Sequence, residues 1–129
     1  MASAVFDSSA VLAMLFHEAG AEEVLAALGD PLLSAVNLAE VLSTLVHRGL
    51  AIEKAQSLLA PYALPIAPFD SELAQITGSL RKDTASLGLS LGDRACLALG
   101  LREKAAVYTA DRNWSRLSLD LKIQVIRGQ

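Results

Sequence analysis

The chain has 129 residues, 53% of them hydrophobic and 19% charged, with a formal net charge of −3. That length suits a single domain over residues 1–129 with a sizeable core, and the apolar content excludes a disordered chain. The acidic balance excludes nucleic-acid binding through net positive charge, leaving room only for a local basic rim.

In chain order, Ala4-Val5-Phe6 reads as a short buried strand running into Asp7, and Ser8 to Phe16 as a buried helix. This first segment is apolar, but Asp7 interrupts it and no basic stretch precedes it, so a signal peptide is not expected. No run reaches the roughly 20 apolar residues of a membrane-spanning helix, and a cytoplasmic protein is expected. Gly20 separates off a helix over Ala21 to Leu28, and Gly29-Asp30-Pro31 makes a turn into a strand over Leu32 to Val36.

From Asn37 to Arg48 the positions Leu38, Val41, Leu42, Leu45 and Val46 recur at helical spacing, and Gly49 stops the helix. Ile52 to Leu59 is a further helix ended by Pro61, and Leu64 to Ala67, bounded by prolines, is an extended piece at the sheet edge. Asp70 caps a helix towards Leu80, and Arg81 to Gly88 reads as a polar connection. Ser90-Leu91-Gly92-Asp93 starts an apolar helix through Leu101. Cys96, the one cysteine, lies within it, which excludes a disulfide framework and a thiolate zinc site. Ala106 to Thr109 is a strand leading to Asp111, and Ile123 to Ile126 is the last. Strands alternating with helices predict an α/β domain with a mostly parallel sheet.

Asp7, Glu40, Asp93 and Asp111 each have a plain structural use. Asp7 and Asp111 can cap backbone N–H groups, while Asn37/Glu40 and Ser90/Asp93 have the spacing of capping boxes. Together they say more, because strand-to-helix junctions of a parallel sheet share its carboxyl edge, where such folds bind ligands. Two carboxylates about 5 Å apart repel by roughly 3 kcal/mol at an effective dielectric near 20. A pocket of four therefore either raises their pKa values or binds a cation, and hard oxygen donors without thiolates or paired histidines favour Mg²⁺ or Mn²⁺ over Zn²⁺. Thr109 is a candidate hydrogen-bond partner for one of these acids. His17 and His47 are expected at the surface. Arg94, Arg112 and Arg116, with Arg81 and Lys82, are candidates for a basic rim along a phosphate backbone.

Four blocks in this order resemble the PIN-domain ribonucleases, most closely the VapC-type toxins of bacterial toxin–antitoxin pairs. They are Val5-Phe6-Asp7-Ser8-Ser9-Ala10, Asn37-Leu38-Ala39-Glu40-Val41, Gly88 to Leu99 around Leu91-Gly92-Asp93-Arg94, and Val107-Tyr108-Thr109-Ala110-Asp111-Arg112-Asn113-Trp114. The resemblance implies a PIN-like domain with about five strands, and an endoribonuclease in which Asp7, Asp93 and Asp111 hold Mg²⁺ or Mn²⁺ while Glu40 orients water or completes a second site. Ser9 would orient Asp7. Asn113 stands where many relatives carry another aspartate, which favours a single metal. The resemblance also implies a homodimer silenced by a cognate antitoxin.

Other classes fit less well. A signalling receiver domain needs an acidic pair after its first strand, where Phe6 precedes Asp7, and a haloacid-dehalogenase-like phosphatase needs an aspartate where Ser9 stands. The stronger alternative is a catalytically silent PIN-like protein-interaction module.

Overall fold

A computed structural model describes residues 2–126; Met1 and residues 127–129 lie outside the described residues. Five strands form one sheet: β1 (Ala4–Phe6), β2 (Pro31–Ser34), β3 (Ile66–Ala67), β4 (Ala106–Thr109) and β5 (Ile123–Val125). Their order is β3-β2-β1-β4-β5 and every pairing is parallel, more uniform than the mostly parallel sheet expected. The helices are α1 (Ser8–Leu15), α2 (Ala21–Ala26), α3 (Ala35–His47), α4 (Ile52–Leu59), α5 (Ser71–Thr84) and α6 (Leu91–Glu103).

Alternation along the strands sorts the core into two layers. Ala4, Phe6 and Leu33 point to one face, where they pack with Val11, Met14, Val24, Val41, Leu45 and Ala55 of α1 to α4. Val5 and Val107 point to the other face and meet Leu73 and Leu80 of α5, Leu97 and Leu99 of α6, and Trp114. Phe6 stands edge-on to Tyr108, with ring centroids 5.7 Å apart. Gly20 adopts φ +92 at the start of α2, and a Cβ there would strike the backbone of Ile126, so the bend between α1 and α2 closes directly on the end of β5.

Several boundaries shift by a residue or two from the sequence expectation, and two of the shifts have a clear physical cause. Strand β2 ends at Ser34, not Val36, and Ser34 rather than Asn37 caps α3 by accepting from Val36 N at 3.2 Å. Helix α5 runs on to Thr84 instead of stopping near Leu80, because Leu73, Thr77, Leu80 and Thr84 form one buried stripe and Arg81, Lys82 and Asp83 are its exposed face. The extended piece before Pro68 is the edge strand β3, as expected.

Candidate functional site

The register fixes where the acids fall. Phe6 lies level with Leu33 on β2 and Tyr108 on β4, so Asp7, Ser34 and Thr109 form one row at the carboxyl edge. The starts of α1 and α3 lie there too. Helix α6 joins them through the buried side chain of Asn37, whose Nδ2 donates to Gly92 O at 3.1 Å. Asp93 therefore starts its helix at the same edge as Asp7, Glu40 and Asp111. Three helix N-termini facing one edge also supply positive potential that moderates the repulsion among the carboxylates.

Asp7 is the buried centre of the site, 4% exposed. Its Oδ1 accepts from Ser9 Oγ at 2.7 Å and from Ala10 N at 2.8 Å, and its Oδ2 accepts from Thr109 Oγ1 at 2.6 Å. The donors are themselves anchored on the next loop: Ala110 N donates to Ser9 Oγ at 2.9 Å and Asp111 N to Thr109 Oγ1 at 3.1 Å. Burial pushes the Asp7 carboxyl up to about 6; the bonds from Thr109, Ser9 and Ala10 pull against that rise, and the charge of Asp93 adds to it. Cys96 lies beneath the acids. Burial drives its thiol well above the ordinary range, reinforced by Asp7, Asp93 and Glu40, so it is an inert core residue.

The other acids are partly exposed and each is held by one oxygen. Asp93 Oδ2 accepts from Ser90 N at 3.0 Å while Asp93 N donates to Ser90 Oγ at 3.1 Å, a complete capping box. Asp111 Oδ1 accepts from Asn113 N at 2.9 Å and caps the short 3-10 turn over Arg112–Arg116. Glu40 Oε1 accepts from Asn37 Nδ2 at 2.8 Å. The Asn37/Glu40 spacing is thus no capping box: both residues lie inside α3 and their bond is between side chains. A cap uses one oxygen of the two, so capping does not by itself exclude a ligand role at Asp93 or Asp111.

Among the described residues, no three His, Cys, Asp or Glu side chains stand together as a preformed metal cluster. The donor chemistry nevertheless fits a hard divalent cation. A buried carboxyl raised to about 6 gains from a nearby positive charge, and the carbonyl oxygen of Asn37 at the same edge is buried without a partner among the described residues. Magnesium-type sites keep several waters and few protein ligands, which suits partly exposed acids.

The basic residues divide. Arg112 and Arg116 are exposed beside Asp111. Arg94 turns away, its guanidinium donating to Thr77 O on α5 at 3.1 Å, so it braces the two helices of one layer. Asn113 is exposed, and His17 and His47 lie at the surface. Asn37 is the site residue that sequence reasoning missed, because its fit to a helix cap hid its reach across to Gly92.

A family model of the PIN domain matches residues 4–119. Among curated proteins none matches this sequence. The fold is similar to that of VapBC2 from Rickettsia felis bound to a promoter DNA fragment, with a TM-score of 0.73, 21% identity, and 94% of this chain and 96% of that chain covered. DNA-bound VapBC from Salmonella typhimurium gives 0.74 at 18% identity, covering 96% and 98%. VapC20 from Mycobacterium tuberculosis, a toxin that cleaves the sarcin-ricin loop, gives 0.69 at 16% identity, covering 88% and 94%. The fold likeness and the span of the family match agree: the chain belongs to the PIN domain family.

Proposed function

We propose that this protein is a metal-dependent endoribonuclease, the toxin of a toxin–antitoxin pair, working in the cytoplasm and neutralised by a cognate antitoxin. The observation that carries the reading is the placement of Asp7, Glu40, Asp93 and Asp111 on one carboxyl edge of a PIN fold, around a buried carboxyl pushed up to about 6. Similar folds in VapBC complexes, and one in a toxin that cleaves the sarcin-ricin loop, support the choice of partner and substrate.

In this reading Asp7, Asp93 and Asp111 hold Mg²⁺ or Mn²⁺. The cation, when bound, activates water and neutralises charge on the phosphoryl oxygens. Asp7 contributes a fixed carboxylate, because Ser9, Ala10 and Thr109 leave it no freedom to rotate. Asp93 and Asp111 present the oxygens their caps leave over. Glu40, partly exposed and held through one oxygen, orients the attacking water and takes up its proton. Arg112 and Arg116, exposed after Asp111, supply positive charge for an RNA backbone in this reading. The half-exposed Val46, Ile52 and Leu58 on α3 and α4 offer apolar area for antitoxin or for a second copy in a homodimer. Among the described residues no helix is long and apolar enough to cross a membrane.

The test is cleavage of a mixed RNA pool with Mg²⁺ or Mn²⁺ and then with chelator, alongside folded Asp7→Asn and Asp93→Asn variants. Metal-dependent cleavage lost in both variants is expected. An inactive wild type whose melting temperature also ignores Mn²⁺ would favour the silent interaction module instead.

A further inference from the structure

Asn37 sits at the junction of α3 and α6 with 1% of its surface exposed, too deep to touch RNA. Both hydrogens of its amide are used, one on Glu40 Oε1 at 2.8 Å and one on the backbone carbonyl of Gly92 at 3.1 Å. This fixes the amide's orientation, since turning it over would set its oxygen against two acceptors. On the far side, Gly92 has no side chain, and a Cβ there would overlap the carboxylate of Glu40. Glu40 is thus confined between the amide of its own helix and the bare backbone of α6, one residue before Asp93. The Asn37 oxygen is buried with no partner among the described residues. The contact between α3 and α6 at Asn37 thus runs through its two N–H groups alone.

We infer that Asn37 is a positioning residue, which holds the Glu40 carboxylate in register with Asp93 by bridging α3 to the first turn of α6. This rests on the nuclease reading above. The bridge joins a general-base candidate on one helix to a metal-ligand candidate on another, so their separation does not depend on the long Glu40 side chain finding its own place.

The experiment is a double-mutant cycle of Asn37→Ala with Glu40→Gln, read in RNA cleavage, in Mn²⁺ affinity by calorimetry, and in the side-chain amide signals of Asn37 in the metal-free protein. Asn37→Ala alone is expected to lower kcat by about 10–100-fold with KM for RNA unchanged, the usual scale for residues that orient a metal site. In the Glu40→Gln background the same exchange should change kcat by less than about twofold, because the group it positions has lost its function. In the metal-free wild type the Asn37 amide protons should exchange slowly, and Glu40→Ala should shift them. Equal losses in both backgrounds would mean that Asn37 merely glues helices, and an unchanged kcat in folded Asn37→Ala would overturn the proposal outright. Should Asn37→Ala fail to fold, Gly92→Ala attacks the same confinement from the α6 side and must show the same dependence on Glu40. A wild type that neither cuts RNA nor binds Mn²⁺ would instead sink the nuclease reading, and the amide signals would still report whether the Asn37–Glu40 bond exists.

Discussion

Thr109 donates its hydroxyl to Asp7 at 2.6 Å from a position 102 residues further along the chain, and the same oxygen accepts from Asp111 N. One hydroxyl therefore links the loop after β4 to the acid after β1. Thr109→Val keeps the shape and removes that link, leaving a buried carboxylate oxygen and a backbone N–H without partners. We expect a loss of about 1–3 kcal/mol in the metal-free protein at neutral pH. Mn²⁺ affinity should fall with it. Urea melts and metal titration check both, and an unaltered affinity would remove Thr109 from the site.

The raised carboxyl of Asp7 sets a pH dependence. Its folded value of about 6 lies above the ordinary 3.8, so between the two the folded state binds the extra proton. Its contribution to stability is full below the lower value and is lost as pH rises through the upper one. The size is about 3 kcal/mol for the metal-free protein. Wild type minus Asp7→Asn, measured by urea melts at pH 4 to 7.5, should decline over that window, and a flat difference would contradict the burial of an ionisable group there. Mn²⁺ competes with the same proton, so its thermal shift should be larger at pH 7.5 than at pH 5.

Gly92→Ala separates function from stability. The new methyl would strike the Glu40 carboxylate, which can swing away only by leaving the Asn37 amide. Alanine in a helix is favoured over glycine by about 1 kcal/mol, which offsets the crowding. The melting temperature should stay near that of wild type while cleavage falls towards the level of Glu40→Gln. A fully active Gly92→Ala would show that Glu40 has room the structure does not reveal.

The arginines should part company under salt. Arg112→Gln and Arg116→Gln are each expected to weaken RNA binding and reduce its salt slope by about 1. Arg94→Gln should act on folding, since its guanidinium is committed to Thr77 O. Its effect should appear in the melting temperature, and a change in salt slope without loss of stability would return Arg94 to the RNA path.

Much of this was legible because parallel α/β chains put their chemistry at strand ends, so Asp7 after Val5-Phe6 and Asp111 after Val107-Tyr108-Thr109 announced their edge in one dimension. What remained hidden was non-local. Ser34 and Asn37 are both competent helix caps; Ser34 takes the role at the end of β2, and Asn37, inside the first turn, binds Glu40 and the carbonyl of Gly92, 55 residues away. Likewise Thr77 and Thr84 read as polar residues, yet both are buried on the stripe that carries α5 past Leu80. Thr84 tolerates burial by donating to Leu80 O at 2.8 Å. Hydropathy alone cannot distinguish a hydroxyl that serves its own helix from one that faces water.

The sheet order has a kinetic corollary. Strand β1 is made first, yet one of its neighbours, β4, follows about a hundred residues later, and both oxygens of Asp7 depend on hydroxyls whose anchors lie beyond it. Contacts of such long sequence separation form late, after the entropy of closing the intervening chain has been overcome. A nascent chain that has not yet released β4 carries the acids of its first half without the scaffold that aligns them. Under the nuclease reading, the alignment of Asp7 therefore waits on β4 and the loop that follows it, however early the acid itself is made.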